Sequence, residues 1–203
     1  MPDWVFEFHG HRCPALVLGY LAGKYALKLL GIERERDSGT YVFSETGDEH
    51  HQECFDDGVQ AATGCTYGKG LYKRLYYGKL AIILYRPGKG AVRVAIKSEF
   101  LNELGKFEFF RYRRSGIPAS QVPREVVDEV INFVLSKDPE EVFKYEFLKD
   151  FNYRPAIRKA MSRIPCDSCG ELVFENYIKI FNGKKLCPRC YETELRGESR
   201  GSL

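Results

Sequence analysis

Two Cys-x-x-Cys pairs towards the C-terminal end of the sequence constrain its fold more than any other feature. The first pair is Cys166 and Cys169, and the second, after seventeen residues, is Cys187 and Cys190. Together they supply four thiolates, the ligand set of a tetrahedral structural Zn²⁺ site with Zn–S distances of about 2.3 Å. A thioredoxin-like redox pair accounts for one Cys-x-x-Cys but not for two. The sequence therefore predicts a structural zinc site whose four cysteines leave no position for water.

The residues around these pairs predict a small zinc domain. Short strands are expected at 172–174 and 177–180, and the dipeptide Asn182-Gly183 is typical of a hairpin turn. A short helix is expected at 191–195, directly after the second pair. A hairpin between the pairs and a helix on the second pair indicate a treble-clef-like arrangement.

The length of 203 residues leaves room for one medium domain and one small domain. We expect a core domain over residues 1–150, a linker over 151–163 and the zinc-binding domain over 164–203. The hydrophobic content of 44% and the aromatic content of 14% indicate a globular protein with a substantial core.

Hydrophobic periodicity and turn residues predict the elements of the core domain. Helices are expected at 14–30, 48–62, 122–135 and 140–149. Strands are expected at 39–45, 80–85 and 91–96, the last two joined as a hairpin. Residues 107–112 fit either a strand or a helix.

The helix over 14–30 is apolar on nearly all sides, which predicts a central position in the fold. Pro14 suits its first position and Gly31 its end. Gly19 and Gly23, one turn apart, allow another backbone to approach closely. Because a domain of this size has limited core volume in which to bury such a helix, we expect a homodimer.

Composition and charge indicate a cytoplasmic protein. The net charge of +3 is mild, so a nucleic-acid partner is not required. Seven cysteines, four of them in a metal pattern, favour a reducing compartment over a disulfide framework. The N-terminal residues lack the features of a signal peptide, and the apolar stretch 15–30 is too short and too charged to span a bilayer. We therefore expect no membrane association.

The remaining soft donors are concentrated in the first third of the chain. Thiolate and imidazole groups on separate segments suit zinc, copper(I) or iron, so one interpretation is a second metal in the core. Cys13 is expected at the N-cap of the first helix, where the helix dipole favours a thiolate. The alternative is that the cysteines are small buried hydrophobic residues. The complete set is His9, His11, Cys13, His50, His51, Cys54 and Cys65.

The second helix places several polar side chains together. His50, Cys54 and Asp57 share one face, and Glu53 and Gln60 lie beside it. The glycine-rich segment 64–70 that follows does not match a nucleotide-binding P-loop. Its spacing to the lysine is one residue short, it has glycine at the magnesium-binding position, and it follows a helix. Backbone binding of another anion, assisted by Lys69, stays open.

Four separated motifs resemble the E-subunit family of formylmethanofuran dehydrogenase, and the resemblance covers roughly residues 4–98. The motifs are Phe8-His-Gly-His-Arg-Cys-Pro14, Cys54-x-x-Asp57-x-x-Gln60, Gly64-Cys-Thr-x-Gly-Lys-Gly70 and Tyr77-Gly-Lys79. The resemblance implies an α+β core domain, often followed by a zinc-binding domain, a dimer, and a site rich in cysteine and histidine. With the predicted hairpin, it implies helices packed on a mainly antiparallel sheet. The chain departs from the family at Gly58-Val59, where Ala-Ile is usual.

The resemblance also carries roles to matching positions. Catalytic roles fall on Cys13, His9, Cys65 and Lys69. Cofactor-binding roles fall on His11, Asp57, Gln60 and Thr66. Ligation of a core metal falls on His11 and Cys54.

These observations leave three functions open. The first is a metal-binding protein with a Cys/His core site, accessory to redox or one-carbon metabolism. The family's dehydrogenase chemistry belongs to other subunits, which carry pterin and iron–sulfur centres, and no comparable cysteine cluster is present here. The second is a cysteine- or metal-dependent enzyme acting on a small molecule.

The third is an adaptor whose zinc domain binds nucleic acid or protein through basic residues. Those near the zinc site are Lys184, Lys185, Arg189 and Arg196, and a second basic cluster consists of Arg111, Arg113, Arg114 and Arg124.

Overall fold

The chain divides into two compact units, Met1–Tyr153 and Arg154–Leu203. The structure, a computed structural model, describes residues 1–48, 50–155 and 162–198, without the side chains of His50, His51 and Glu198. Because the side chain of His50 is not described, the predicted helix face shared by His50 and Cys54 lies partly outside the described residues.

Among the helices within the described ranges, none combines the length and the apolar character needed to cross a bilayer.

The first unit combines helices with one five-stranded sheet. Its helices are α1 (Trp4–His9), α2 (Pro14–Leu30), α3 (His50–Thr63), α4 (Ser98–Leu104), α5 (Glu108–Arg114), α6 (Arg124–Leu135) and the single turn α7 (Pro139–Val142). Its strands are β1 (Tyr41–Ser44), β2 (Tyr72–Arg74), β3 (Ala81–Arg86), β4 (Gly90–Ile96) and β5 (Phe143–Phe147). A 3₁₀ turn lies at Ala119–Gln121.

The sheet has the strand order β2-β1-β3-β4-β5. Only the β1–β2 pair is parallel, and the other pairs are antiparallel. The β3–β4 hairpin pairs Ile82 with Val94 and Leu84 with Val92, and all four side chains are fully buried. This α+β arrangement of helices on a mainly antiparallel sheet confirms the predicted fold class.

Helix α2 lies at the centre of the first unit because its apolar surface is covered from several directions. It contacts β3 and β4 of the sheet, helix α3 and helix α6. Its ends are as predicted, since Pro14 is the first residue and Gly31 ends the helix with a left-handed φ of 60°. The buried residues of α2 are Pro14, Leu16, Val17, Leu18, Gly19, Ala22, Gly23, Tyr25, Ala26, Leu27 and Leu30.

Glycines bring α2 and α3 unusually close together. A Cβ atom on Gly19 would lie 1.9 Å from the carbonyl oxygen of Phe55, and one on Gly58 would lie 2.0 Å from that of Leu16. The close approach predicted from Gly19 and Gly23 is therefore made by a helix of the same chain. Gly58, the departure from the family pattern, is one of the residues that permits it. The apolar character of α2 consequently gives no support to a homodimer, which stays a prediction.

The predicted helix over 140–149 is wrong. Asp138 and Glu141 form a capping box that starts α7, but this helix ends after one turn at Val142. The next five residues form β5, which pairs with β4. The alternation of aromatic and charged residues in Phe143-Lys-Tyr-Glu-Phe147 is the period-two pattern of a strand. The segment 107–112, which fits either a strand or a helix by sequence, is helical: Phe107 is the N-cap of α5 and the other residues lie in α5.

The second unit is built from two short strand pairs and a helix. Strands β6 (Arg163–Pro165) and β7 (Leu172–Phe174) form one antiparallel pair, and β8 (Lys179–Phe181) and β9 (Lys184–Leu186) form the other. A 3₁₀ turn, Glu175–Tyr177, takes up the start of the strand expected at 177–180. Helix α8 (Pro188–Glu198) is longer than expected and begins inside the second cysteine pair.

The predicted hairpin turn of the second unit is present. Asn182 and Gly183 have φ angles of 47° and 77°, the two positive values that a type I′ turn requires. Of the linker expected over 151–163, Phe151 and Tyr153 pack their rings against Phe43 of β1 in the first unit. The domain boundaries proposed from the sequence otherwise stay predictions.

The Gly19→Ala substitution tests the close packing of α2 on α3. We expect it to lower the free energy of unfolding of the first unit by about 3 kcal/mol, because the new methyl group meets a backbone carbonyl rather than a flexible side chain. Denaturant titration followed by the fluorescence of Trp4, the single tryptophan, measures this change. Gly105→Ala is the control, since its nearest non-neighbour atom lies 3.5 Å away. Equal stability of the two variants would contradict the packing.

Candidate metal centres

Four soft donors converge near the N-terminal ends of α2 and α3. His9 ends α1, His11 follows the left-handed Gly10, Cys13 is the N-cap of α2, and Cys54 lies on α3. One donor atom from each of these four residues lies within 4.8 Å of the other three. Two imidazoles and two thiolates at this spacing form a set that can hold a metal ion.

Asp57 holds the ring of His9 in place. Its Oδ2 lies 2.8 Å from Nδ1 of His9, whose side chain is 7% exposed. Nε2 of His9 is buried and makes no hydrogen bond to any described residue, so it is the ring atom available to a metal. The ring of His11 lies 4.4 Å from that of His9, measured between centroids. A carboxylate bonded to the far nitrogen of a histidine is the usual support of a metal-binding imidazole.

The two core thiols, Cys13 and Cys54, shift each other's pKa in opposite directions. A hydrogen bond from Cys54 holds the pKa of Cys13 well below its usual range, against the effect of burial and with help from His11 and His9. The same hydrogen bond and burial raise the pKa of Cys54. Burial lowers the pKa of His9, but Asp57 and the Cys13 thiolate outweigh it and raise the pKa to about 9. These shifts favour a thiolate on Cys13 and a protonated thiol on Cys54, beside a His9 ring that holds its proton more strongly than a free imidazole.

A cavity of about 850 Å³ opens onto one side of this cluster. His9, His11 and Cys54 reach it, so a bound molecule can approach the donors from this side. A second cavity of about 480 Å³, largely apolar, is lined by Cys13 and Cys54. The other residues that line the first cavity are Glu53, Asp56, Asp57, Gln60, Tyr67, Tyr72, Lys73, Arg74 and Tyr76.

Sequence reasoning missed Asp56, which orders the floor of the larger cavity. Its buried carboxylate accepts hydrogen bonds from the hydroxyls of Ser44 (2.6 Å), Thr46 (2.8 Å) and Tyr72 (2.7 Å) and from Nε of Arg74 (3.0 Å). These residues tie β1 and β2 to α3. The available signal was an aspartate on the apolar side of a helix, since a buried carboxylate needs partners.

Cys65 is not among the converging donors. It is fully buried in the main hydrophobic core, and its thiol lies 3.4 Å from the carbonyl oxygen of Thr40. Burial raises the pKa of Cys65 to about 12, which keeps the thiol protonated. The position of Cys65 agrees with the alternative interpretation of the sequence, in which a cysteine is a small buried hydrophobic residue.

The glycine-rich segment is held by contacts of its own. Lys69 extends its ammonium group to the carbonyl oxygens of Arg36 (3.0 Å) and Glu35 (3.4 Å), and its backbone N–H lies 3.4 Å from the hydroxyl of Thr66. Gln60 lines the larger cavity and accepts a hydrogen bond from the backbone of Tyr67 at 2.9 Å. Of the site residues expected in this segment and just before it, Gln60 lines that cavity, whereas Cys65, Thr66 and Lys69 do not.

The second unit brings its four cysteines together as the sequence predicts. The Sγ atoms of Cys166, Cys169, Cys187 and Cys190 lie within 4.8 Å of one another. The backbone N–H of Cys187 donates to Sγ of Cys166 at 3.3 Å, and that of Cys190 donates to Sγ of Cys187 at 3.4 Å. Backbone N–H groups of Cys169 and Cys187 lower the pKa of Cys166 to about 6. This cluster can hold a metal ion such as zinc.

Known proteins share both the sequence pattern and the fold. The chain is 31% identical over 198 residues to a probable S-adenosyl-L-methionine-binding protein of Archaeoglobus fulgidus, an alignment that covers 91% of this chain. It spans about half of that relative, 50% of its length.

The fold is shared with the crystal structure of a tungsten formylmethanofuran dehydrogenase FmdE-like protein from Syntrophus aciditrophicus. The TM-score is 0.57 at 20% sequence identity, over 94% of this chain and 90% of that one. Residues 8–144 match the family described as "FmdE, Molybdenum formylmethanofuran dehydrogenase operon". That segment contains all four converging donors of the first unit, and the chain belongs to the FmdE family.

Proposed function

We propose that the protein binds a metal ion in its first unit through His9, His11, Cys13 and Cys54. The observation that supports this most strongly is the convergence of these four donor atoms within 4.8 Å, although they come from three separate segments. A set of two nitrogens and two sulfurs suits Zn²⁺ by ligand type. A divalent cation would take the place of the protons on Cys54 and His9, so its binding is coupled to their release.

A second candidate is an enzyme that acts on a small molecule, and two observations favour it. The polar cavity reaches the cluster and carries carboxylates from Glu53 and Asp57. In addition, Asp57 is hydrogen-bonded to His9, and a donor atom of His9 lies within 4.8 Å of Sγ of Cys13, the order of an orienting acid, a base and a nucleophile. A resident zinc would supply a Lewis acid instead. Metal content separates the metal centre from the metal-free triad, because the triad needs no metal.

For the second unit we propose a structural zinc site in a treble-clef-like domain. The β8–β9 hairpin lies between the cysteine pairs, and α8 begins at Pro188 within the second pair. Its buried core consists of Cys166, Leu186 and Cys187, with a few partly buried neighbours. A core this small does not stabilise a fold by itself, so the metal would supply much of the folding free energy.

The wider setting is proposed on family membership. We place the protein in the cytoplasm as an accessory factor of redox or one-carbon metabolism, and we retain the homodimer. S-adenosyl-L-methionine, named for the A. fulgidus relative, is the first small molecule to test in the polar cavity. An adaptor role for the second unit, towards nucleic acid or protein, is favoured by its exposed side chains Leu172, Phe174, Tyr177 and Ile180.

Metal stoichiometry tests the core site. Elemental analysis of the wild type is expected to give two metal ions per chain, and Cys54→Ser is expected to give one while Trp4 fluorescence stays native. Cys65→Ser is the matched control, because Cys65 lies outside the cluster, and should keep both metals. A wild type with a single metal, or a Cys54→Ser variant that retains two, would refute the core centre. The first of these results would favour the metal-free triad.

The Asp57→Asn substitution tests the support of His9. Loss of the carboxylate should weaken metal binding by the core site by about 10- to 100-fold, because the imidazole is less basic and less well oriented. Competition with chelators of graded affinity measures this change. Glu53→Gln is the control on the same helix, since Glu53 lines the same cavity and its carboxylate lies 3.6 Å from Arg74. Equal effects of the two substitutions would assign the loss to cavity charge rather than to His9.

Chelation tests the structural role of the second metal. Removing it should abolish hydrogen-exchange protection in β6 to α8 while the sheet of the first unit remains protected, because only the second unit lacks a large core. Hydrogen exchange measured by mass spectrometry, with and without chelator, resolves the two units. Protection of the second unit that survives complete removal of metal would show that its fold does not need the ion.

A further inference from the structure

Strand β5 lies at the outer end of the five-stranded sheet. Its inner side pairs with β4, and within the described residues no strand pairs with its outer side. All residues of β5 after Phe143 are exposed, including Tyr145 at 49% and Phe147 at 52%. An exposed edge of this kind is a place where a further strand can add.

The hydrogen bonds at the ends of β5 show which backbone groups face outwards. The N–H of Leu148 donates to the carbonyl of Ala91 at 3.0 Å, and the N–H of Lys97 donates to the carbonyl of Val142 at 2.9 Å. Positions 142 and 148 therefore face β4, and by alternation so do 144 and 146. The N–H and C=O groups of 143, 145 and 147 are the ones that face away from the sheet.

The side chains of β5 are arranged symmetrically about Tyr145. Phe143, Tyr145 and Phe147 project on one face, where Tyr25 of α2 contacts the first two rings. Lys144 and Glu146 project on the other face. On each side of Tyr145 the strand has first a charged residue and then a phenylalanine. The charged residues, Lys144 and Glu146, have opposite signs.

We propose that β5 pairs antiparallel with β5 of a second copy of this chain, about a two-fold axis at Tyr145. This register sets Lys144 opposite the partner's Glu146, and Glu146 opposite the partner's Lys144. It also joins the outward backbone groups of 143, 145 and 147, so the two sheets become one. The exposed rings of Tyr145 and Phe147 acquire aromatic neighbours across the axis.

Neighbouring registers fit less well. An axis at Lys144 or at Glu146 also joins outward-facing backbone groups, because it pairs 143 with 145 or 145 with 147, but it sets like charges opposite each other. Within its own chain, Glu146 lies opposite Arg93, but Nε and Nη2 of Arg93 already bind Glu45 at 2.6 and 2.7 Å. Glu146 is therefore well placed to pair with the partner's Lys144. Because β5 is complementary in charge to a second β5 that runs antiparallel to it, we infer that the strand that adds to this edge belongs to a second copy of the chain.

Charge reversal on the full-length protein tests this pairing. Light scattering over a range of concentrations should give the wild type twice the chain mass of 23.4 kDa. Lys144→Glu or Glu146→Lys alone should raise the dimer dissociation constant by about tenfold or more, because each converts two attractive contacts into repulsive ones. The double variant exchanges the charges and should restore dimerisation. Lys89→Glu, an exposed reversal at the β3–β4 turn, should leave it unchanged.

Three results would overturn the proposal: a monomeric wild type, single variants that dimerise as well as the wild type, or a double variant as weak as the single ones. Tyr145→Pro adds a backbone test, since it removes an outward N–H and leaves the bonds to β4 in place; it should dissociate the dimer with native Trp4 fluorescence. Metal content measured on the same samples should not change. A failure of the pairing is thereby separated from a failure of the proposed metal function.

Discussion

The close contact between α2 and α3 is the constraint on which the rest of the first unit depends. Gly19 and Gly58 remove the side chains that would hold the two backbones apart. The approach brings Cys13, at the N-cap of α2, against Cys54 on α3. Had either glycine carried a larger side chain, the helices would separate and the two thiols with them. The packing of a hydrophobic core and the assembly of a polar site thus have the same cause.

The chemistry of the core cluster follows from ionisable side chains that lie close together with little exposure to solvent. Cys54 lowers the pKa of Cys13 through a hydrogen bond, and Asp57 is hydrogen-bonded to His9, whereas Nε2 of His9 makes no hydrogen bond to a described residue. A cation entering the cluster meets ligands that are already positioned, so little reorganisation is needed. The buried Asp56, with its four donors, ties β1 and β2 to α3 and so holds the cavity wall beside the cluster.

The two cysteine clusters differ in how the chain assembles them. In the second unit, the two ligands of each pair lie three residues apart, and the backbone N–H of Cys190 donates to Sγ of Cys187 within the second pair. In the first unit, Cys13 and Cys54 are brought together only by the folded core. Metal loss should accordingly have unequal consequences, because the first unit retains a large hydrophobic core without the ion and the second does not.

The features that depend on local geometry could be predicted from the amino-acid sequence. These are the cysteine cluster of the second unit, the Asn182-Gly183 turn, the ends of α2 and the β3–β4 hairpin, because each is set by spacing or by preferred backbone angles over a few residues. Which soft donors converge, and that Cys65 lies in the core instead, depends on the tertiary structure. Residues 143–147 do carry the alternation of a strand, but the segment that includes them follows a capped helix start, and pairing with the open edge of β4 separates the one-turn helix from the strand. Contacts between residues far apart in the chain determine these features, and a local sequence pattern does not report the free energy of such contacts.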